Sequence, residues 1–172
     1  MTGILSGNPF CQMMGIEHPI CQAGMYQVAY GRLAAAVSKA GGLGILGCAF
    51  MDPEGLRKEI QLVKNVTDRP FGVDILFAEI KGKDGTSQGY TQQVDEHIEV
   101  TFEEGTNVIV SGLGNPGRII KRAHAADMKV MSLVGTSHQA KKVAVSGVDV
   151  VIASGSDGGG HVGRVGTMSL IP

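Results

Sequence analysis

The sequence predicts an α/β protein built around a parallel sheet, and three observations lead there. Short, nearly continuous apolar runs recur along the chain, amphipathic stretches of helical length separate them, and glycine gathers where one gives way to the other. Strands buried on both faces read as continuous apolar runs, the pattern of parallel sheets covered by helices.

The apolar runs are residues 19–25, 42–47, 71–77, 107–112, 129–134 and 148–155, which gives six strands. Residues 30–40, 53–66, 90–104, 116–126 and 137–146 lie between them and carry apolar side chains at helical spacing. Start signals support these helices: Asp52 precedes Pro53, Asn115 precedes Pro116, and Thr136 or Ser137 can cap the fifth. Residues 78–88 break the pattern with Gly82, Gly85 and several charges, followed by Gly89, and are expected to form a mobile loop over one end of the sheet. An open doubly wound sheet and a closed barrel both satisfy this periodicity. A Rossmann fingerprint is absent, because Gly24 after the first strand is followed by Met25, Tyr26 and Gln27.

Composition narrows the partners. With 15 basic and 16 acidic residues and a net charge of −1, the chain offers no electrostatic case for nucleic acid or an anionic membrane. A small-molecule substrate is easier to accommodate. No run reaches the roughly 20 apolar residues of a spanning helix, and no secretory signal opens the chain, so a soluble cytoplasmic protein is expected. Cys11, Cys21 and Cys48 fit neither a disulfide framework nor a zinc site and are expected to be free thiols that pack; no metal site is expected.

Glycine is the outlier at 26 of 172 residues, clustered at the carboxyl ends of the predicted strands, where parallel α/β folds place their sites. The densest cluster runs Ser154, Gly155, Ser156, Asp157, Gly158, Gly159, Gly160, His161. Three consecutive glycines can turn several N–H groups toward one point and receive an anion or a flavin edge. His161 follows directly, and an imidazole there can exchange a proton near neutrality. His18, His97, His124 and His138 lack such a setting and read as helix-face or loop residues. Met25 can lie against a planar cofactor. Asp74 is the sharper anomaly, a carboxylate inside an apolar strand, where an unpaired buried charge is costly.

Four stretches carry a resemblance: residues 18–25 (HPICQAGM), 33–44 (LAAAVSKAGGLG), 68–73 (DRPFGV) and 158–163 (GGGHVG). Together they resemble the nitronate monooxygenases, formerly called 2-nitropropane dioxygenases, and the related FMN-dependent enoyl-acyl-carrier-protein reductases. The resemblance implies a TIM (β/α)8-type barrel, of which residues 1–172 hold about six β/α units and lack the last two. It implies FMN near Ala23, Gly24, Met25, Asp74, Ser111, Leu133, Gly155, Gly159 and Gly160, with His161 as the catalytic residue. NADH or NADPH would serve as electron donor in the reductase branch, to which Gly114, Asn115 and Pro116 and residues 167–170 are similar.

This chain departs from the resemblance at three places. Asp74 stands where the family usually has asparagine, placing a negative charge near a flavin whose reduced form is itself anionic. Asp157 stands where glutamate is common. The chain also ends near Ile171, short of the about 250 residues usual for the barrel. The absent strands would bring the FMN phosphate grip and leave edge strands unpaired. A fragment of a longer protein is the favoured explanation, with a second protomer or polypeptide completing the barrel as the other. Three functions follow: nitronate oxidation with dioxygen; enoyl-thioester reduction by a reduced nicotinamide through FMN; and a non-catalytic binding or scaffold subunit.

Overall fold

The computed structural model describes residues 7–77 and 79–171. The chain opens with α1 (Pro9–Met14), α2 (Gly31–Lys39), β1 (Gly44–Gly47), α3 (Pro53–Val66) and β2 (Phe71–Phe77). A hairpin of β3 (Glu79–Lys81) and β4 (Ser87–Tyr90) comes next. The remainder is α4 (Gln92–Glu103), β5 (Val108–Gly114), α5 (Gly117–Ala125), β6 (Lys129–Val134), α6 (Ser137–Ser146), β7 (Val150–Ala153) and α7 (Thr167–Leu170).

The main sheet has the order β1-β2-β5-β6-β7, all parallel, so spatial order follows chain order. Each crossover therefore steps in the same direction, and right-handed crossovers of that kind put every helix on one face. A doubly wound sheet would reverse its order partway. The sheet is thus the wall of a TIM-type barrel, and topology settles what periodicity left open.

Two apolar clusters match the two faces. The outer one joins Leu46, Val73, Ile75, Phe77, Ile109 and Val130 of the strands to Leu56, Ile60, Val63, Val94, Ile98, Ile119 and Ala123 of the helices. The inner one joins Ile45, Val108, Val110 and Met131 to Cys11, Met14 and Ile16, so α1 plugs the lumen at the amino ends of the strands. Asn8 starts α1 by accepting a 2.9 Å bond from Phe10 N, Pro9 presets its first turn, and Gly15 at φ +67° ends it. Sequence reasoning missed this helix, which is too short to show a period.

The first predicted strand is corrected. Residues 19–25 hold only one parallel bridge, Cys21 to Leu43. The Gln22 side chain replaces the next ladder rungs, donating to Ile45 O at 2.9 Å and accepting from Ile45 N at 3.2 Å. The segment still runs beside β1 in the sixth wall position, but its main chain turns away to form the glycine corner at residue 24. Elsewhere β2, β6, α3 and α6 keep the predicted bounds. The predicted loop is also corrected: its described residues, beyond Ala78, form most of the β3–β4 hairpin, whose turn is braced by Asp84 accepting from Thr86 N and Oγ1. Its charges and glycines belong to that turn. Asp52 caps α3 through Gly55 N at 2.7 Å and Thr136 caps α6 through Gln139 N at 3.1 Å, whereas α5 starts one residue late, with Pro116 as its cap and Asn115 bonding Gly117 N.

Candidate functional site

Asp74 anchors the site from the centre of β2, opposite Gly47 at the carboxyl end of β1. Val73 and Ile75 on either side pack outward, so the alternation of the strand turns Asp74 into the lumen. Its carboxylate is held between two glycines. A Cβ on Gly24 would come within 2.3 Å of Oδ2 and one on Gly112 within 2.5 Å of Oδ1, so a side chain at either position would displace the acid. Oδ1 is buried with no hydrogen-bond partner among the described residues. Burial pushes the carboxyl up to about 7, while the Gly112 backbone N–H pulls the other way.

A second network backs this strand end. The Cys48 thiol lies 3.2 Å from the Asp74 carbonyl oxygen and 3.5 Å from His97 Nδ1, and His97 Nε2 lies 2.8 Å from Met51 O. A carbonyl only accepts, so the proton sits on Nε2 and the lone pair of Nδ1 faces the thiol. Burial and then the charge of Asp74 push the Cys48 thiol far above its ordinary range, which makes it a packing and hydrogen-bonding group rather than a nucleophile. His97 is buried on the inward face of α4, where the helical period alone gave no hint of a partner.

Beside Asp74, Gly112 opens into a cavity of about 750 Å³ over the ends of β5 and β6. Its walls include Leu113, Leu133, Val134, Val143 and Val162, its charged groups are Glu79, Lys81, Lys142 and Arg164, and the His161 imidazole lines it beside them. Leu133 faces the lumen because Met131, two residues earlier, does. The hairpin contributes Glu79 and Lys81 and is tied to the turn after β5 by the Tyr90 hydroxyl, which donates to Asn115 O at 2.8 Å. Sequence reasoning did not find Glu79, Lys81, Lys142 and Arg164 as lining residues; Arg164, three residues after His161, was the one with a local signal.

The loop carrying His161 is pinned at its base. Asp157 Oδ1 accepts from Thr167 N and from Thr167 Oγ1, both at 2.8 Å, and these bonds hold its carboxyl below the ordinary range. Ser156 N donates to Val165 O at 2.8 Å. A Cβ on Gly163 would meet Gly135 O at 2.5 Å, so the loop lies directly on the turn after β6.

The expected cofactor residues fall into three groups. Gly24, Asp74 and the cavity residues Leu133 and His161 converge around Gly112. Ala23 and Met25 flank Gly24 on the rim, with Met25 40 % exposed, and Gly159 and Gly160 have open space where a side chain would be. Ser111 and Gly155 stand apart. Ser111 pairs with Ile75 on the helix-covered face and its buried hydroxyl reaches Gly114 O at 3.1 Å and Leu113 O at 3.2 Å; Gly155 is packed against Thr167. Neither presents a side chain to a ligand.

A parallel barrel wall, with a glycine-lined lumen and an adjoining cavity at the carboxyl ends of its strands, defines a protein of the TIM-barrel class. Within that class the chain belongs to the nitronate monooxygenase family, whose sequence profile matches residues 8–172. It is 39 % identical over 164 residues to the (3aS,4S,5R,7aS)-5-hydroxy-7a-methyl-1-oxo-octahydro-1H-indene-4-carboxyl-CoA dehydrogenase of Mycobacterium tuberculosis, covering 95 % of this chain and 43 % of that protein. Among solved structures it is similar to FabK (M276A) from Thermotoga maritima, with TM-score 0.84 and 38 % identity over 94 % of this chain and 50 % of that one. Nitroalkane oxidase from Streptomyces ansochromogenes gives TM-score 0.82 and 26 % identity over 93 % and 56 %. The chain spans about half the length of these relatives. Among the described residues, no helix is long and apolar enough to cross a membrane.

Proposed function

We propose that this chain forms the flavin and proton-transfer centre of an FMN-dependent oxidoreductase. One observation carries the reading: the Asp74 carboxyl, packed on the bare main chain of Gly24 and Gly112 with one oxygen unpartnered among the described residues, adjoins the cavity that His161 lines. A flat ring needs polar atoms at its edge and main chain without Cβ atoms beside it; the Asp74 carboxyl fits the first, and Gly159 and Gly160, with open space where a side chain would be, fit the second. Met25 and Leu133 would supply apolar contact, and the N–H groups of Gly159 and Gly160 further polar contact. Bound FMN supplies the redox chemistry. The residues of the chain bind and orient: Leu113 and Leu133 keep water from the reacting face, and His161 takes or returns a proton at the substrate carbon.

The substrate that suits the cavity best is an acyl thioester. A nitroalkane of a few carbons would occupy little of about 750 Å³, whereas apolar walls under exposed Lys81, Lys142 and Arg164 suit an acyl group on a phosphate-bearing carrier. The naming of the Mycobacterium tuberculosis relative as a carboxyl-CoA dehydrogenase supports this. A reduced nicotinamide, NADH or NADPH, would be the electron donor in the reducing direction. Nitronate oxidation with dioxygen is the second reading, supported by the family name and by the nitroalkane oxidase structure.

The test is an absorbance spectrum of the purified protein reconstituted with FMN, followed by anaerobic titration with NADH, NADPH, an acyl-CoA and a nitronate in turn. Bleaching by a nicotinamide with reoxidation by an enoyl-CoA, or bleaching by an acyl-CoA alone, would support the thioester reading. Bleaching by nitronate alone would overturn it in favour of the second. A folded protein that takes up no FMN would leave the scaffold role.

A further inference from the structure

Asp74 is a largely buried carboxylate with one oxygen, Oδ1, that has no hydrogen-bond partner among the described residues, and the Gly112 backbone N–H is the only group there that eases its charge. Gly24 packs on its Oδ2 and Gly112 on its Oδ1, and neither leaves room for a side chain. The neighbouring strand β1 offers only Gly47 opposite Asp74, and the Cys48 thiol just after it is engaged with the Asp74 carbonyl and with His97 on α4. β5 offers the Gly112 amide and Ser111, whose hydroxyl is turned to the opposite face. No lysine or arginine forms an ion pair with Asp74 among the described residues.

We propose that Asp74 is a proton-coupled gate for the flavin, admitting the ring as a neutral carboxylic acid and releasing it when ionised. This rests on the flavin reading above. The edge of a flavin carries carbonyl and ring-nitrogen acceptors, and only the acid form has a proton to donate to them. A ring seated against Asp74 also removes the remaining water from the carboxyl, which further disfavours an anion that has no cation beside it. Binding to the ionised protein therefore takes up one proton from solution for each flavin bound. Because burial already places the free carboxyl at about 7, the switch falls in the physiological range.

The experiment is a fluorescence-quenching titration of FMN into the protein between pH 6 and 9, with the wild type and Asp74→Asn side by side. Asparagine keeps the shape and a donor but cannot ionise, and taking the ratio of the two affinities cancels titration of the ligand itself. The ratio is expected to be flat below pH 6.5 and to move against the wild type by about tenfold per pH unit above 7. A second measurement is calorimetric binding at pH 8, where the FMN phosphate is fully ionised: across buffers of different ionisation enthalpy the wild type should take up about one proton per FMN and Asp74→Asn almost none. A ratio that stays constant to pH 9, or no proton uptake at pH 8, overturns the gate while leaving FMN binding intact. Failure of both proteins to bind FMN at every pH overturns the flavin reading itself, and the gate with it.

Discussion

The two ends of the barrel wall are built from opposite materials. At the amino ends of the strands the lumen is filled by Met14 and Ile16, packed on Leu43, Ile45, Val108 and Met131, all at most 8 % exposed. At the carboxyl ends the same lumen is lined by Gly24, Gly112 and Asp74, and the strands open onto a cavity with cationic side chains. Met131 and Leu133 share one strand and one face, yet the first is sealed in the core and the second lines the cavity. Stability and ligand chemistry are thus separated along each strand by two or three residues, and substitutions at the two ends should fail in different ways.

The largest contrast is expected at His161. His161→Ala should lower turnover with the donor established by titration about 10²- to 10⁴-fold, the usual worth of a positioned proton carrier. Its midpoint in urea should not move, because the side chain is exposed and outside both clusters. An unchanged rate would remove it from the proton path.

Asp74 is next, and its effect depends on pH. The folded carboxyl sits near 7 and the unfolded one near the ordinary 3.8, so between those values the folded chain holds a proton that the unfolded chain has released. Stability is therefore highest below pH 4, declines as pH rises, and carries the full penalty above about 7. Asp74→Asn should stabilise the protein by about 4 kcal/mol at pH 8 and by almost nothing at pH 4. Equal gains at both pH values would contradict a raised carboxyl.

At the sealed end, Met131→Ala should cost about 3 kcal/mol in urea denaturation by leaving a cavity among Ile45, Val110 and Met14. FMN affinity of the folded variant should stay within twofold; a larger loss would mean the two ends are coupled. The smallest effect is Asp52→Ala, which removes the cap of α3 and should cost about 1 kcal/mol with no change at the site.

How much of this was legible in the sequence follows the same division. Continuous apolar runs gave β2 and β6 to the residue, since their burial is set by composition, and the capping signals at Asp52 and Thr136 placed α3 and α6. Residues 19–25 looked like an equal strand because periodicity cannot see a side-chain amide standing in for a ladder. Asp74 and His161 were visible because each breaks a local rule, a charge in an apolar strand and an imidazole after three glycines. The rest of the cavity was not, because Lys81, Lys142 and Arg164 are ordinary surface cations in sequence and gain meaning only when the hairpin, α6 and the loop after β7 meet. Ser111 shows the converse: it lies at a strand end that faces the site, but register turns its hydroxyl to the other side.

The pin between Asp157 and Thr167 has a consequence for how this site can diversify. Because the loop is fastened at its two feet by Asp157 and Thr167 and by Ser156 and Val165, the backbone from Gly158 to Arg164 has its end points fixed independently of its own sequence. Descendants of the gene can exchange exposed positions between those feet such as Val162 and Arg164, altering which substrates are accepted, while Gly163 stays fixed by its packing on Gly135.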